Sequence, residues 1–496
     1  MSMKDSIRDR IRNFLEIKEP QGLSVNIEQM FDIEGEIFKN KLWYRGNANE
    51  LEKFYNHIDA GYAGNRHFWS SRPTKSMNIR KIHTGLPSLM VEKLTDVCID
   101  DLYDIKLDKR QEEWNEIAKE NNFSKLLETA VSQVFALGDG AFKFSYDKEI
   151  SNLPIIEFFP ADRVDFEYSR GRLTAVIFKT KHKIKDCEYT LKEHYEKKEI
   201  YYTLENKDGK EVEMSDFSEL AECVAVKNDA EFIPAVPVIF RPSNQFEGRG
   251  MSIFHNKIDA YDSLDEIWSQ WMLAVRKGQI KTFVPEQYLP RDTKTGEALG
   301  YNDFDHDFIS YSPGMSENDN SKITTSQGQI QSEALLAAYM TALDLCLQGI
   351  ISPSTLGIDV KKLDNADSQR EKEKTTLYTR DKTLESLTLV IQDVVLTALK
   401  FKDNINNAKG DTDIEVTVCF GGYANPSFEA QVETVGKAAS TGIMSIEARV
   451  EELYGNDKDD EWKQEEVKRL KAEQGIADME EPAVNNELDY WGSDDE

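Results

Sequence analysis

The chain has 496 residues, 61 of them Lys or Arg and 90 Asp or Glu, for a formal charge of −29. Apolar residues make up 40% and aromatic residues 10%, which excludes wholesale disorder, and the length fits two to four structural units at roughly 100–200 residues each. No run reaches the roughly 18–20 apolar residues of a membrane span, the charged N-terminus lacks the apolar stretch of a secretory signal, and the acidic balance argues against tight, nonspecific wrapping of nucleic acid.

In chain order, Ile7, Ile11, Phe14 and Leu15 fall on one face of a helix over 4–16. Further helices are expected over 27–40 and 48–58. An aromatic and basic segment, 60–87, follows. Helical spacing returns at 85–99 and 111–137, with Asn122 or Ser124 available to cap the later part. Gly138-Asp139-Gly140 stops that helix. The segments AFKFSYD, LPIIEFFP, RLTAVIFKT, EYTLKEHYE and EIYYTLE then alternate like strands, and Asn206 to Gly209 forms a hairpin turn. Residues 139–242 therefore read as an antiparallel, β-rich region.

The period becomes helical again over 251–278, where Phe254, Ile258, Tyr261, Leu264, Trp268, Trp271 and Val275 recur at three or four residues. Residues 279–330 are polar turns and short strands. A second helix spans 331–350. Pro353 and Gly357 break the chain over 351–365. A long helix is expected over 366–403, a strand over 413–421, and helices over 427–440, 444–454 and 459–474, with Ser427 and Ser445 as weak start signals. From 451 to 496 there are 17 acidic and 5 basic residues, so the end of the chain reads as a solvated tail.

Catalytic signatures are missing from the sequence. It holds no GxxxxGK[ST], no strand–helix GxGxxG, no GxSxG and no HExxH. Cys98, Cys187, Cys223, Cys346 and Cys419 are scattered, which fits folding in a reducing cytoplasm and neither a disulfide framework nor a zinc site. Asp303, Asp305, His306 and Asp307 carry donors suited to a divalent ion, but read first as a solvated turn. Asp457, Asp459 and Glu461 imitate a calcium loop that Trp462 spoils where glycine is required. Trp43, Trp69, Trp268 and Trp271 have rings that can stack on bases, yet the last two sit at packing spacing. Arg66, Arg72, Lys75, Arg80 and Lys81, with Phe68 and Trp69 among them, form the best basic–aromatic segment.

Two helices flanking a compact insertion, then a Pro/Gly-broken loop and a very long helix, form an architecture that cannot bury its apolar faces alone. A ring of subunits supplies the missing neighbours. In this order of parts, in WYRGNANELEKFY (43–55), in SPSTLGIDVKKLDNADSQREKEKTTLYTR (352–380) and in FGGYANPSFEAQVETVGKA (420–438), the chain resembles the portal proteins of tailed bacteriophages, in particular those of long-tailed phages of Gram-positive hosts.

The resemblance implies an α+β portal-type fold with wing, two-helix stem, strand-containing clip and helical crown. The wing would be 1–250 with 366–421, the stem 251–278 and 331–350, the clip 279–330, the tunnel loop 351–365 and the crown 422–480. Residues 481–496 would be an acidic tail without fixed structure. It implies a ring, usually a dodecamer, at one capsid vertex, with double-stranded DNA passing through its channel during packaging and ejection. Its partners would be the terminase large subunit, a head–tail adaptor, the major capsid protein and a scaffold, in the virion and in the host cytoplasm during assembly. No membrane, cofactor, metal or catalytic residue is implied.

Ser354, Thr355, Asp359, Lys361 and Lys362 are the channel candidates. Tyr288, Arg291, Tyr301 and Phe304 are the adaptor-contact candidates. Asp259, Asp262, Asp265 and Glu266 would face the channel or the ring exterior, where negative charge keeps DNA from sticking. The competing readings are an acidic intracellular scaffold or adaptor without a DNA role, and a metal-dependent enzyme built on the Asp303–Asp307 cluster.

Overall fold

The computed structural model describes residues 32–61, 66–71, 79–100, 102–184, 187–207, 209–214, 217, 225–227, 232–285, 307–311, 323–358, 366–406, 410, 413–421, 428–454 and 460–473. The helix expected over 4–16 and the tail 481–496 lie outside them.

Helices α1 (Ile33–Arg45) and α2 (Ala48–Ile58) come first, and α1 runs past its expected end at 40. It stops where Gly46 adopts a φ of 63°, a left-handed conformation that glycine takes without a Cβ penalty, and Gly46 N–H donates to Leu42 O. Asn47 then caps α2 by accepting from Asn49 N–H at 3.0 Å. Buried Trp43 donates its Nε1–H to the hydroxyl of buried Tyr55 at 2.9 Å, so the first and last residues of the aromatic 43–55 segment hold each other.

Helix α3 (Leu86–Ile99), strand β1 (Leu102–Leu107) and helices α4 (Gln111–Glu120) and α5 (Phe123–Leu137) follow. The expected helix over 111–137 is thus two helices. Asn122 sits at φ 47° and makes no side-chain cap. The break is held instead by Asn121, whose amide donates to Ile117 O and Pro154 O and accepts from Ile156 N–H at 2.8 Å.

The β-rich region contains β2 (Asp139–Ser145), β3 (Ile155–Pro160), β4 (Val164–Ser169), β5 (Arg172–Ile184), β6 (Cys187–Glu196), β7 (Glu199–Asn206), β8 (Glu211–Val212), β9 (Val226–Lys227) and β10 (Ala235–Ile239). All of its pairings are antiparallel, but it is two sheets rather than one: β10-β2-β3, and β4-β5-β6-β7-β8 with β9 also on β7. Alternation along the strands sends Val176, Phe178 and Tyr195 into a small core between the sheets with Ala141 and Val164. Gly209, at φ 74°, returns its N–H to Asn206 O as the hairpin turn requires.

Helix α6 spans Ile258–Lys277, so the expected start at 251 moves to 258. The preceding residues are committed elsewhere: Met251 N–H donates to Arg241 O, Ile253 N–H to Phe135 O, and Asn256 sits at φ 58°. Strands β11 (Ile280–Pro285), β12 (Asp307–Tyr311) and β13 (Thr324–Gln327) make a small sheet with β11 central, parallel to β12 and antiparallel to β13. Helix α7 (Ser332–Leu347) and the 40-residue helix α8 (Ala366–Ile405) follow, then β14 (Val416–Phe420). β14 pairs with β1, a strand the sequence reading passed over between two helices. The main core gathers α1 to α8, β2, β10 and β14, with Leu387, Ile391, Val394, Val395 and Ala398 of α8 at its centre.

The chain divides at Gly421, and Gly422–Glu496 is a second unit. It holds α9 (Phe428–Ser440), α10 (Ile446–Tyr454) and α11 (Asp460–Glu473). Ser445 does start a helix, accepting from Ala448 N–H. Val435, Ile446 and Val450 are buried, and Tyr454 meets Trp462 edge-on at 5.1 Å. Among the described residues no helix is long and apolar enough to cross a membrane.

Candidate functional site

Helices α6 and α7 form an antiparallel hairpin. At one end Lys257 Nζ donates to Leu345 O at 2.8 Å; further along, Tyr339 meets Trp268 at 5.6 Å and Trp271 at 6.1 Å. At the other end a Cβ on Gly278 would strike Ile330, so the chain can turn tightly there into the β11–β13 sheet. Tyr261 and Leu264 of α6 and Leu343, Cys346 and Leu347 of α7 anchor one end of the hairpin in the main core. Trp268 and Trp271 pack against Tyr339 of α7, as their helical spacing suggested.

Helix α7 is unusual in its surface. Its 16 residues, SEALLAAYMTALDLCL, include only two charged groups, Glu333 and Asp344. A helix this poor in charge normally buries most of its surface. Here the side bearing Ala342, Leu343, Cys346 and Leu347 is buried, while Leu336 is 47% and Leu345 53% exposed.

A polar stripe runs down the inner face of α6 at helical spacing: Asp262, Asp265 and Ser269. It clasps the segment between α2 and α3. Asp262 accepts the N–H of Phe68 at 2.8 Å and of Trp69 at 3.4 Å. Asp265 accepts Thr84 N–H at 2.8 Å, the Thr84 hydroxyl at 2.9 Å and His83 Nδ1 at 2.7 Å; Ser269 Oγ accepts Ile82 N–H at 3.0 Å. This corrects the expectation for two of the four α6 acids. Asp262 and Asp265 are turned into their own chain to satisfy buried backbone donors, whereas Asp259 is exposed and Glu266 is half-buried beside Gln270. Burial pushes the Asp262 carboxyl up to about 6, against the hydrogen bonds from Phe68 and Trp69 that favour its charge.

The chain leaves α7 through the turn 351–358, which is bonded to α8. Thr376 Oγ1 accepts Ser352 N–H at 2.9 Å and shares a 2.8 Å hydrogen bond with Thr355 Oγ1. Pro353 O accepts the N–H groups of Leu356 and Ile358, and Gly357 takes φ 71°. Of the channel candidates, Thr355 is therefore tied to α8 and the Ser354 hydroxyl is buried without a partner. Asp359, Lys361 and Lys362 lie outside the described residues, as do the adaptor-contact candidates Tyr288, Arg291, Tyr301 and Phe304. One turn beyond Thr376, buried Arg380 donates to Val97 O in the last turn of α3 and to Gly421 O after β14. Thr376 and Arg380 both lie in the 352–380 segment, but sequence reasoning assigned neither a role.

Sequence reasoning also missed a hub where α5 meets β2. Gly138 and Gly250 face each other so closely that a Cβ on Gly250 would stand 2.1 Å from Gly138 O. Beside them Arg249 forks onto Asp139, Nε to Oδ2 at 2.9 Å and Nη2 to Oδ1 at 3.0 Å, and Gly250 N–H adds a third bond to that carboxylate. Burial opposes the Arg249 charge, but the carboxylates of Asp139 and Asp165 hold its pKa above the ordinary value. The signal was a lone arginine between glycines at 248–250.

In the basic–aromatic segment the aromatic rings are structural, while Arg66 and Arg80 are exposed. Trp43 and Trp69 are fully buried, Phe68 is buried, and Lys81 bonds Trp69 O and Glu52. Arg72 and Lys75 lie outside the described residues. Cys98 and Cys346 are buried, Cys187 is exposed and Cys419 is half-buried, all unbridged; burial pushes the Cys346 thiol up to about 12, which keeps it protonated and inert. Asp303, Asp305 and His306 are outside the described residues, as are Asp457 and Asp459. Among the described residues no cluster of His, Cys, Asp or Glu is placed to hold a metal ion.

The described residues thus give a clasped helical hairpin whose free side leaves Leu336 and Leu345 exposed. Residues 33–478 match the family described as phage portal protein, SPP1 Gp6-like; this is most of the chain, which therefore belongs to that family of phage portal proteins. Among solved structures, one chain from the neck of a native GTA particle, computed with C12 symmetry, is 11% identical with a TM-score of 0.37, covering 79% of this chain and 96% of that one. Another, from the neck of an empty GTA particle computed with C6 symmetry, is 12% identical with a TM-score of 0.39, covering 78% and 95%. At these TM-scores the likeness adds nothing to the family assignment. No curated protein matches the chain.

Proposed function

We propose that the chain assembles into a closed ring, a dodecamer, at one capsid vertex, forming the channel for double-stranded DNA in packaging and ejection and the platform for the terminase large subunit and a head–tail adaptor. The observation that carries this reading is α7: only Glu333 and Asp344 of its 16 residues are charged, yet in the single chain Leu336 and Leu345 are left in water. Covering a large aliphatic side chain is worth about 1.5–3 kcal/mol, so a neighbouring copy gains from packing there. Contacts that repeat from copy to copy must close into a ring or run on as a filament.

In this reading α6 and α7 are the stem, the β11–β13 sheet and its loops the clip, 1–250 with 366–421 the wing, 351–365 the tunnel loop, and 422–480 the crown. The channel residues are drawn from Ser354, Thr355, Asp359, Lys361 and Lys362, and the adaptor contacts from Tyr288, Arg291, Tyr301 and Phe304. The net charge of −29 suits a conduit, since DNA slides where few phosphates are neutralised. The chain acts without a cofactor or nucleotide of its own, and a separate ATPase drives packaging. It resides in the virion and assembles in the host cytoplasm with capsid protein and scaffold.

Negative-stain images of the purified chain test the reading. Rings with a central hole are expected, and their replacement by single subunits in a folded Leu345→Arg variant. Images of the wild-type chain that show only single subunits would contradict it.

A further inference from the structure

A cleft of about 840 Å³ lies between α1 and the sheet formed by β5 and β6, with the turn Ala161–Arg163 as part of its floor. Phe38 and Lys41 of α1 line one wall. Strand periodicity puts Lys179 and Lys181 on the same face of β5, and Lys192 of β6 stands opposite Lys179 in register.

The carboxylates in this cleft are already engaged. Asp162 pairs with Lys41, Glu205 with Lys192, and Glu34 with Lys179 at 3.2 Å; Asp165 takes Lys179 at 2.6 Å and Arg249 at 3.1 Å. Two cations are left over. Arg163 and Lys181 are both exposed, and neither is in an ion pair among the described residues. In a chain of charge −29, a concave site with spare cations and no spare carboxylate focuses a field that draws anions.

A further feature narrows the ligand. Phe38, only partly buried against the main core, adds apolar ground to the wall. Acidic side chains and an apolar side chain occur together in a peptide. A site within the roughly 300–1,000 Å³ of small-ligand pockets is too narrow to admit a duplex.

We propose that this cleft binds a short acidic peptide segment of a partner protein, with its carboxylates on Arg163 and Lys181 and an apolar side chain against Phe38.

The test is fluorescence anisotropy on the full chain, with a labelled decapeptide of Asp and Glu carrying one central Tyr. Saturable binding that weakens with salt is expected. The double variant Arg163→Glu, Lys181→Glu should raise Kd at least tenfold. A control with the same charge change, Lys197→Glu with Lys198→Glu in the β6–β7 turn, should raise it less than threefold. Replacing the Tyr by Ser should weaken binding several-fold. No binding by the wild-type chain would overturn the proposal, as would an equal loss in the control variant. Displacement of the peptide by a short DNA duplex, with the duplex also lost in the Arg163, Lys181 variant, would assign the cleft to nucleic acid instead.

Discussion

Arg249 and Asp139 stand 110 positions apart in sequence and meet as a two-pronged pair at 2.9 and 3.0 Å, both nearly sealed from solvent. The pair locks the segment before α6 to the first residue of β2, next to the glycine contact between Gly138 and Gly250. The base of the helical hairpin is set by this hub, by the α6 clasp and by the α8 anchors together.

Removing one partner of that pair leaves the other charge buried. Asp139→Ala and Arg249→Ala should each cost roughly 3–5 kcal/mol. Arg249→Lys keeps the charge but loses the fork, so it should fall between wild type and Arg249→Ala. Thermal unfolding of the three variants checks the order, and an Arg249→Ala variant that melts with wild type would refute the hub.

Gly250→Ala places a methyl group against Gly138 O, a backbone atom that cannot swing aside. Loss of soluble folded protein, or a large fall in melting temperature, is expected. Gly171→Ala is the comparison: its Cβ would meet nothing within 4 Å although φ is 73°, so only the cost of the left-handed conformation, on the order of 1 kcal/mol, should appear.

Asp262 gives a pH signature. Its folded pKa of about 6 lies above the ordinary 3.8, so the folded state holds the proton more tightly than the unfolded chain. Its contribution is fully present below about pH 4 and is lost as pH rises through about 6, a swing on the order of 3 kcal/mol. Asp262→Asn keeps an acceptor for Phe68 N–H and abolishes the titration. The melting-temperature advantage of wild type over Asp262→Asn should therefore be larger at pH 5 than at pH 7; a pH-independent difference would contradict the assignment. Asp262→Ala strands both backbone donors and should be destabilised at either pH.

Thr376→Val keeps the shape of the side chain and removes the hydroxyl that accepts Ser352 N–H and bonds Thr355. A buried unpaired N–H costs about 1–3 kcal/mol. Faster hydrogen exchange confined to 352–358 is expected, with exchange in α8 beyond Thr383 unchanged. Unchanged exchange in the turn would show that Thr376 does not hold it.

Much of this architecture was legible in the sequence, because period and punctuation are local. The switch from alternating to helical spacing found α6, although with its start at 251 in place of 258, the helix over 48–58 was placed at its observed bounds, and the α6–insertion–α7 order carried the family resemblance. What escaped depends on partners distant in sequence. β1 is a short strand between helices, recognisable only once β14 returns to pair with it. Asp262 and Asp265 read as surface acids because the donors they satisfy lie 194 and 181 residues earlier. Arg249 and Asp139 lacked any local mark beyond the flanking glycines. The adaptor-contact candidates and the charged half of the tunnel-loop set lie outside the described residues, so their assignment rests on the proposed portal reading.

The most direct measurement is the native mass of the purified full chain, taken with the Leu345→Arg variant beside it. A species near twelve times 56.8 kDa for wild type, reduced to single folded subunits by the substitution, is the predicted result. A wild-type chain that stays monomeric or dimeric at high concentration and across salt would contradict the ring.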